Sequence, residues 1–93
     1  MIKSFANDKA LQIWEGKRPK GFPPDVIRRA LTKLQLLHTA KDVEYLRIPP
    51  GNRLELLKDD RVGQHSIRIN DKWRVCFKWN GTDAENVEIV DYH

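Results

Sequence analysis

Three side chains able to give or take a proton stand in a row at Asp91, Tyr92 and His93: a carboxyl, a phenol and an imidazole. They follow residues 86–90, whose alternation and β-branched side chains predict a strand. Chain ends commonly fray, but a strand leading into these groups limits where they can go. A second set is spread over the preceding residues. Arg53 and Glu55, then Gln64, Ser66 and Arg68, then Arg74, Cys76 and Lys78 recur at every other position of three further candidate strands. Residues two apart on a strand share a face, so these side chains make one polar surface, with four cations against a single acid. Such a surface is either an ordinary solvated sheet face or a platform for an anionic ligand. Asp91, Tyr92 and His93 are expected at one edge of it. The chemistry these residue types allow is therefore proton transfer beside a bound anion.

The elements that must hold this surface are legible in the opposite alternation. His65, Ile67 and Ile69, then Trp73, Val75, Phe77 and Trp79, then Val87 and Ile89 form an apolar set, joined by Leu54 and Leu56. They are the expected core face, and a register shift of one residue would exchange the two sets. Strands are predicted over residues 64–69, 72–79 and 86–90, with a shorter one over 53–57. Asn70-Asp71 reads as a two-residue hairpin turn, and Pro49-Pro50-Gly51-Asn52 as another turn. The clearest helix covers residues 24–38. Pro24 suits its first turn, and Val26, Ile27, Ala30, Leu31, Leu34 and Leu37 fall on one stripe. A shorter helix follows the cap residue Asn7 and stops near Gly16. Residues 1–5 suggest a short strand, and residues 41–48 are ambiguous. Helices first and antiparallel strands later define an α+β fold: a curved antiparallel sheet with two N-terminal helices on one face.

The chain has 93 residues, 40% of them hydrophobic and 32% charged. That is expected to make one small globular domain over residues 1–93. The formal charge is +4, and it is uneven: residues 53–78 carry seven basic and four acidic side chains, residues 81–93 four acidic and none basic. This balance suits a polyanionic partner or an ordinary solvated surface. The single cysteine, Cys76, excludes a fold stapled by internal disulfides. No apolar run approaches a membrane span and no signal-peptide pattern opens the chain, so a cytoplasmic protein with no membrane partner is expected. His65 reads as structural, His38 as a partner for its helix dipole, and Cys76 as an inert thiol. No metal-ligand spacing is present, so no metal or other cofactor is expected.

Two stretches together carry a resemblance. One runs Pro49-Pro50-Gly51-Asn52-Arg53-Leu54-Glu55-Leu56-Leu57-Lys58-Asp59-Asp60-Arg61-Val62-Gly63-Gln64-His65-Ser66-Ile67-Arg68-Ile69-Asn70 into Asp71-Lys72-Trp73-Arg74-Val75-Cys76-Phe77. The other is Val87-Glu88-Ile89-Val90-Asp91-Tyr92-His93. In these the chain resembles the HigB toxins, a branch of the RelE/ParE superfamily of bacterial toxin–antitoxin systems. The resemblance implies the RelE-like fold, with the active surface on the sheet face away from the helices. It implies a ribosome-dependent endoribonuclease that cuts messenger RNA in the ribosomal A site without a metal. It also implies a HigA-like helix-turn-helix antitoxin, the 70S ribosome and messenger RNA as partners, with operator DNA engaged only through the antitoxin complex. Carried over by position, the catalytic set is His93, Asp91, Tyr92, Glu55, Lys58 and Arg74, with Arg53, Arg61, Arg68 and Lys78 tracking phosphates.

Two positions depart from the family pattern. Glu55 stands where some relatives have a histidine, and its carboxylate could serve as the base while adding negative charge beside the phosphate. Asp59 stands where relatives often have glycine after the lysine, which bears on the loop carrying Lys58. Two other readings remain open at this point. ParE proteins share the fold but inhibit DNA gyrase by binding it, and a plain RNA-binding module would also use a basic face.

Overall fold

The computed structural model describes residues 1–91. The first helix, α1, spans Asp8–Trp14, and the Asn7 side chain caps it by accepting from the Ala10 amide at 3.0 Å. Asp8 places its charge at the positive end of the helix dipole. Helix α2 spans Pro24–Thr39, one residue longer than predicted, and buries Val26, Ala30, Leu34 and Leu37. These are the sheet-facing members of the stripe, and Arg28 and Arg29 point away as the pattern requires. The ambiguous stretch forms a 3-10 turn, Val43–Arg47, started by Asp42 accepting from the Glu44 amide at 2.9 Å. A second such turn, Pro50–Asn52, occupies the predicted Pro-Pro-Gly-Asn turn.

Four antiparallel strands follow in chain order: β1 Glu55–Leu56, β2 Gln64–Arg68, β3 Trp73–Trp79 and β4 Ala84–Asp91. The β2–β3 connection corrects the predicted two-residue turn. Arg68 faces Arg74, and Ile69 donates its amide to the Trp73 carbonyl at 2.8 Å, which leaves Asn70, Asp71 and Lys72 in the loop. The reason lies in the faces. A two-residue loop would set Ile67 against Arg74, whereas the longer loop sets it against Val75 and keeps the apolar sets together. Asn70 closes the loop by accepting from the amides of Lys72 and Trp73, both at 2.9 Å.

Strand β4 carries a bulge. Cys76 faces Glu88 but Lys78 faces Glu85, so one extra residue is absorbed between them. Asn86 takes that place in the left-handed region, at φ +52°. The bulge lets Ala84, Val87 and Ile89 all point into the core. The predicted N-terminal strand is reduced to two parallel bridges on the outer edge of β4, Ile2 to Ala84 and Phe5 to Val87. The Ser4 hydroxyl accepts from the Asn86 amide at 2.8 Å and so completes the bulge. His38 lies in the last turn of α2, at the negative end of the helix dipole as expected. Its Nδ1 accepts from the Ile2 amide at 3.1 Å while its ring packs on Trp14, so it pins this N-terminal segment.

The core lies between the helices and one sheet face, with Phe77, Ile13, Leu34, Leu37, Leu46 and Ile67 fully buried. Each such side chain contributes about 1.5–3 kcal/mol. Trp73 packs against this core and meets the Phe22 ring at 4.9 Å. Leu56 departs from expectation. It faces His65 in the ladder but is 63% exposed, because the two-residue edge strand reaches beyond the helical cover. Leu57 is buried instead, on the opposite side, where its amide donates to the Gln64 carbonyl.

Candidate active site

The face away from the helices is layered, not an open solvated surface. The register aligns Glu55, Ser66, Cys76 and Glu88 in one row across all four strands. Opposed residues of antiparallel strands share a side, so an acid, a hydroxyl, a thiol and an acid stand side by side. The two inner members, Ser66 and Cys76, are fully buried, although no helix covers them. Their cover comes from two arginines and the segment between β1 and β2.

Arg74 lies across the hydroxyl end of the row. Its Nε donates to Ser66 Oγ at 2.8 Å and its Nη2 to the Arg53 carbonyl at 2.6 Å. Its Nη1 stands 3.9 Å from Glu55 Oε1. Arg53 makes this possible by taking the left-handed conformation, φ +45°, as it ends the Pro50–Asn52 turn, two residues before β1. It is therefore not a strand residue as predicted, and its carbonyl enters the site as an acceptor for Arg74. The Arg74 side chain is 11% exposed and held at both ends, while Glu55 is 54% exposed. A carboxylate open to solvent thus stands beside a fixed guanidinium.

Arg61 covers the other end. Its Nη1 donates to Glu88 Oε1 at 2.7 Å and to Gln64 Oε1 at 3.2 Å. Lys58 opens the 3-10 turn Asp59–Arg61, and the Arg61 amide donates back to the Lys58 carbonyl at 3.2 Å. Asp59 has φ +56°. That is the left-handed region, where glycine is at ease and a side chain is strained. The loop carrying Lys58 forms with aspartate at this place. Lys58 lines two adjoining hollows: one of about 290 Å³ with Glu55, Leu56, Leu57 and Asp59, the other of about 230 Å³ with Asp59, Asp60 and Arg61.

The remaining predicted cations are partly committed. Arg68 faces Arg74 in the ladder and pairs with Asp71. Lys78 is exposed between Gln64 and Glu85. With Glu85 and Glu88 added from β4, the face alternates cations and acids and is less purely basic than the first three strands suggest. Asp91 ends β4 opposite Trp73, in the alternation of the helix-side set, and Val90 is the residue facing Arg74. Tyr92 and His93 lie outside the described residues. Glu88 is the member that sequence reading missed. The alternation with Val87 and Ile89 already placed it on this face, but pairing it with Cys76 requires the bulge.

Burial pushes the Cys76 thiol above its ordinary value, against the opposing pull of the Arg61 and Arg74 guanidiniums. Cys76 is accordingly a protonated floor to the site and not a nucleophile. His65 points to the core side, its ring stacked 6.0 Å from Phe77. Its Nδ1 is buried with no hydrogen-bond partner among the described residues, and burial holds the imidazole below its ordinary value. The reading of His65 as a packing residue agrees with this. Among the described residues no three His, Cys, Asp or Glu side chains group into a metal-holding set, and no helix is long and apolar enough to cross a membrane.

A small antiparallel sheet with two helices on one face and a guanidinium–carboxylate row on the other defines a RelE-like architecture. The family model for the RelE-like toxin of the type II toxin–antitoxin system HigB matches residues 3–93. The chain belongs to that family. It is 38% identical over 80 residues to Toxin HigB-1 of Vibrio cholerae, covering 85% of this chain and 84% of that protein. It is 32% identical over 93 residues to Endoribonuclease HigB of Proteus vulgaris, covering both chains completely. An uncharacterized protein of Haemophilus influenzae is 26% identical over 86 residues, 91% of this chain and 85% of its own. Membership of a type II system implies an antitoxin partner. The gyrase-inhibitor alternative finds no support in these likenesses.

Proposed function

We propose that this toxin is a ribosome-dependent endoribonuclease that cuts messenger RNA in the A site of the 70S ribosome. The observation that carries the reading is Arg74, fixed by Ser66 and the Arg53 carbonyl beside the exposed Glu55 carboxylate. The reaction is attack of an RNA 2′-oxygen on its own adjacent phosphate. A base removes the 2′-proton, a cation meets the charge that builds on the phosphorane oxygens, and an acid protonates the departing 5′-oxygen. The products are a 2′,3′-cyclic phosphate and a 5′-hydroxyl. Glu55 is suited to the first task by its exposure. Arg74 is suited to the second by its preorganised fork, with Lys58 as a second cation on its hollow. The family positions Tyr92 and His93 supply a ring to stack on a base and the acid, His93 being the general acid because an imidazole titrates nearest neutrality, at about pH 6.5, and Asp91, which ends β4 in the helix-side alternation, orients it. Arg53, Arg68 and Lys78 follow the message backbone, and Arg61 adds charge from within its pair with Glu88.

The antitoxin in this reading is a HigA-like helix-turn-helix protein that binds operator DNA for the complex, and the site of action is the cytoplasm. The name carried by the Proteus vulgaris relative, an endoribonuclease, supports the reaction class. A message bearing a single 2′-deoxynucleotide 5′ to the scissile phosphate tests the mechanism. It should resist cleavage while the all-ribose message is cut on the same ribosomes. Cleavage of the deoxy-substituted message would exclude 2′-oxygen attack.

A further inference from the structure

The Arg61–Glu88 pair joins residues 27 positions apart at the Cys76 end of the buried row. Arg61 holds the Lys58 carbonyl through its own amide and Gln64 through its guanidinium. Glu88 sits on β4, a long and bulge-anchored strand, whereas Lys58 sits on a loop whose third turn residue is Arg61. The geometry points to Glu88 as a positioning residue: by holding Arg61 at 2.7 Å it locks the 58–62 loop onto the sheet and fixes where Lys58 stands relative to Glu55 and Arg74.

Three observations support the assignment. The pair is only partly accessible, at 31% for Arg61 and 24% for Glu88, so water screens it less than a surface pair. The loop has little apolar anchorage of its own: Val62 is 75% exposed, and the buried Leu57 precedes it on the chain. Asp59 in the left-handed region leaves the turn strained, so a tether is needed to hold it. Small displacements matter at such a site, because a misplacement of about 1 Å can cost about a hundredfold in rate. Glu88 touches no reacting group in this scheme, and it acts through Arg61.

The inference rests on the cleavage reading for its catalytic half, but its structural half has an independent reporter. Cys76 is the chain's single cysteine and lies under the clamp. In Glu88→Gln and Glu88→Ala, native-state labelling of Cys76 by a small thiol reagent should rise tenfold or more, with the far-ultraviolet spectrum and melting cooperativity retained. Single-turnover cleavage on programmed ribosomes should fall tenfold or more in its maximal rate, with half-saturation changed less than threefold. The exchange Arg61→Glu with Glu88→Arg should restore Cys76 protection. Unchanged labelling in both Glu88 variants would overturn the clamp. Raised labelling with an unchanged cleavage rate would overturn the positioning role. If the wild type itself cuts nothing, the cleavage reading fails, and the labelling alone still decides whether Glu88 holds the loop.

Discussion

In the cleavage we propose, Arg74 is the residue on which the chemistry turns, and its neighbours explain why. A guanidinium placed by two acceptors need not reorganise when charge builds on a phosphate. Arg74→Ala should therefore lower single-turnover cleavage by about 10²–10³-fold. Arg74→Lys should recover little, since an ammonium cannot serve Ser66 and the Arg53 carbonyl together. Glu55 makes a separate prediction. It is exposed, and among the described residues its carboxylate meets only Arg74, at 3.9 Å, so Glu55→Gln should leave thermal unfolding unchanged. If it is the base, cleavage should drop about 10²–10⁴-fold. A variant that cuts at the wild-type rate would move the base to Asp91 or His93. His65 belongs to stability instead. Burial holds its imidazole below the ordinary value, so the unfolded chain takes up a proton that the folded chain resists. Stability should accordingly decline as the pH falls below about 6.5. Urea unfolding at about pH 7 and about pH 5 should show a smaller decline for His65→Leu than for wild type.

At the scale of elements, the 58–62 loop and the two irregularities of the sheet decide what the site looks like. Asp59 is held at φ +56°, so Asp59→Gly should raise unfolding free energy by up to about 1 kcal/mol in a urea titration, the relief of left-handed strain less the entropy of glycine. A loss of stability would mean that the aspartate side chain anchors the turn. The helices and the two faces were legible because period and polarity agree over many residues: Val26 to Leu37 for α2, His65 to Trp79 for the hairpin. The turn was not. Asn70-Asp71 has the composition of a tight hairpin, but matching Ile67 to Val75 requires an odd-length loop, and burial of a whole face outweighs the preference of two turn residues. The bulge at Asn86 and the left-handed Arg53 were hidden for a related reason. Each is a single residue whose conformation is imposed by partners far along the chain, Ser4 in one case and Arg74 in the other.

For the whole molecule, the division of labour follows from the two sides of one thin sheet. The helix side supplies stability. Phe77 is fully buried there, and Phe77→Ala should cost about 3–5 kcal/mol in denaturant unfolding, a large part of the roughly 5–15 kcal/mol that holds a domain of this kind. The other side is built from charges that neutralise one another in pairs, Arg74 with Glu55 and Arg61 with Glu88, so that the net +4 of the chain does not overwhelm the geometry. This pairing was only half legible. Arg61 and Arg68 read as phosphate contacts from sequence, yet each has a carboxylate partner that only the folded register or a loop conformation brings near. The central claim is that this face cuts message on the ribosome, and primer extension on a defined message with translating ribosomes tests it most directly. Wild-type protein should give discrete cuts that require ribosomes, and Arg74→Ala and His93→Ala should abolish them while remaining folded. Growth arrest in cells with no ribosome-dependent cuts by the wild type, or cuts undiminished in Arg74→Ala, would contradict the account.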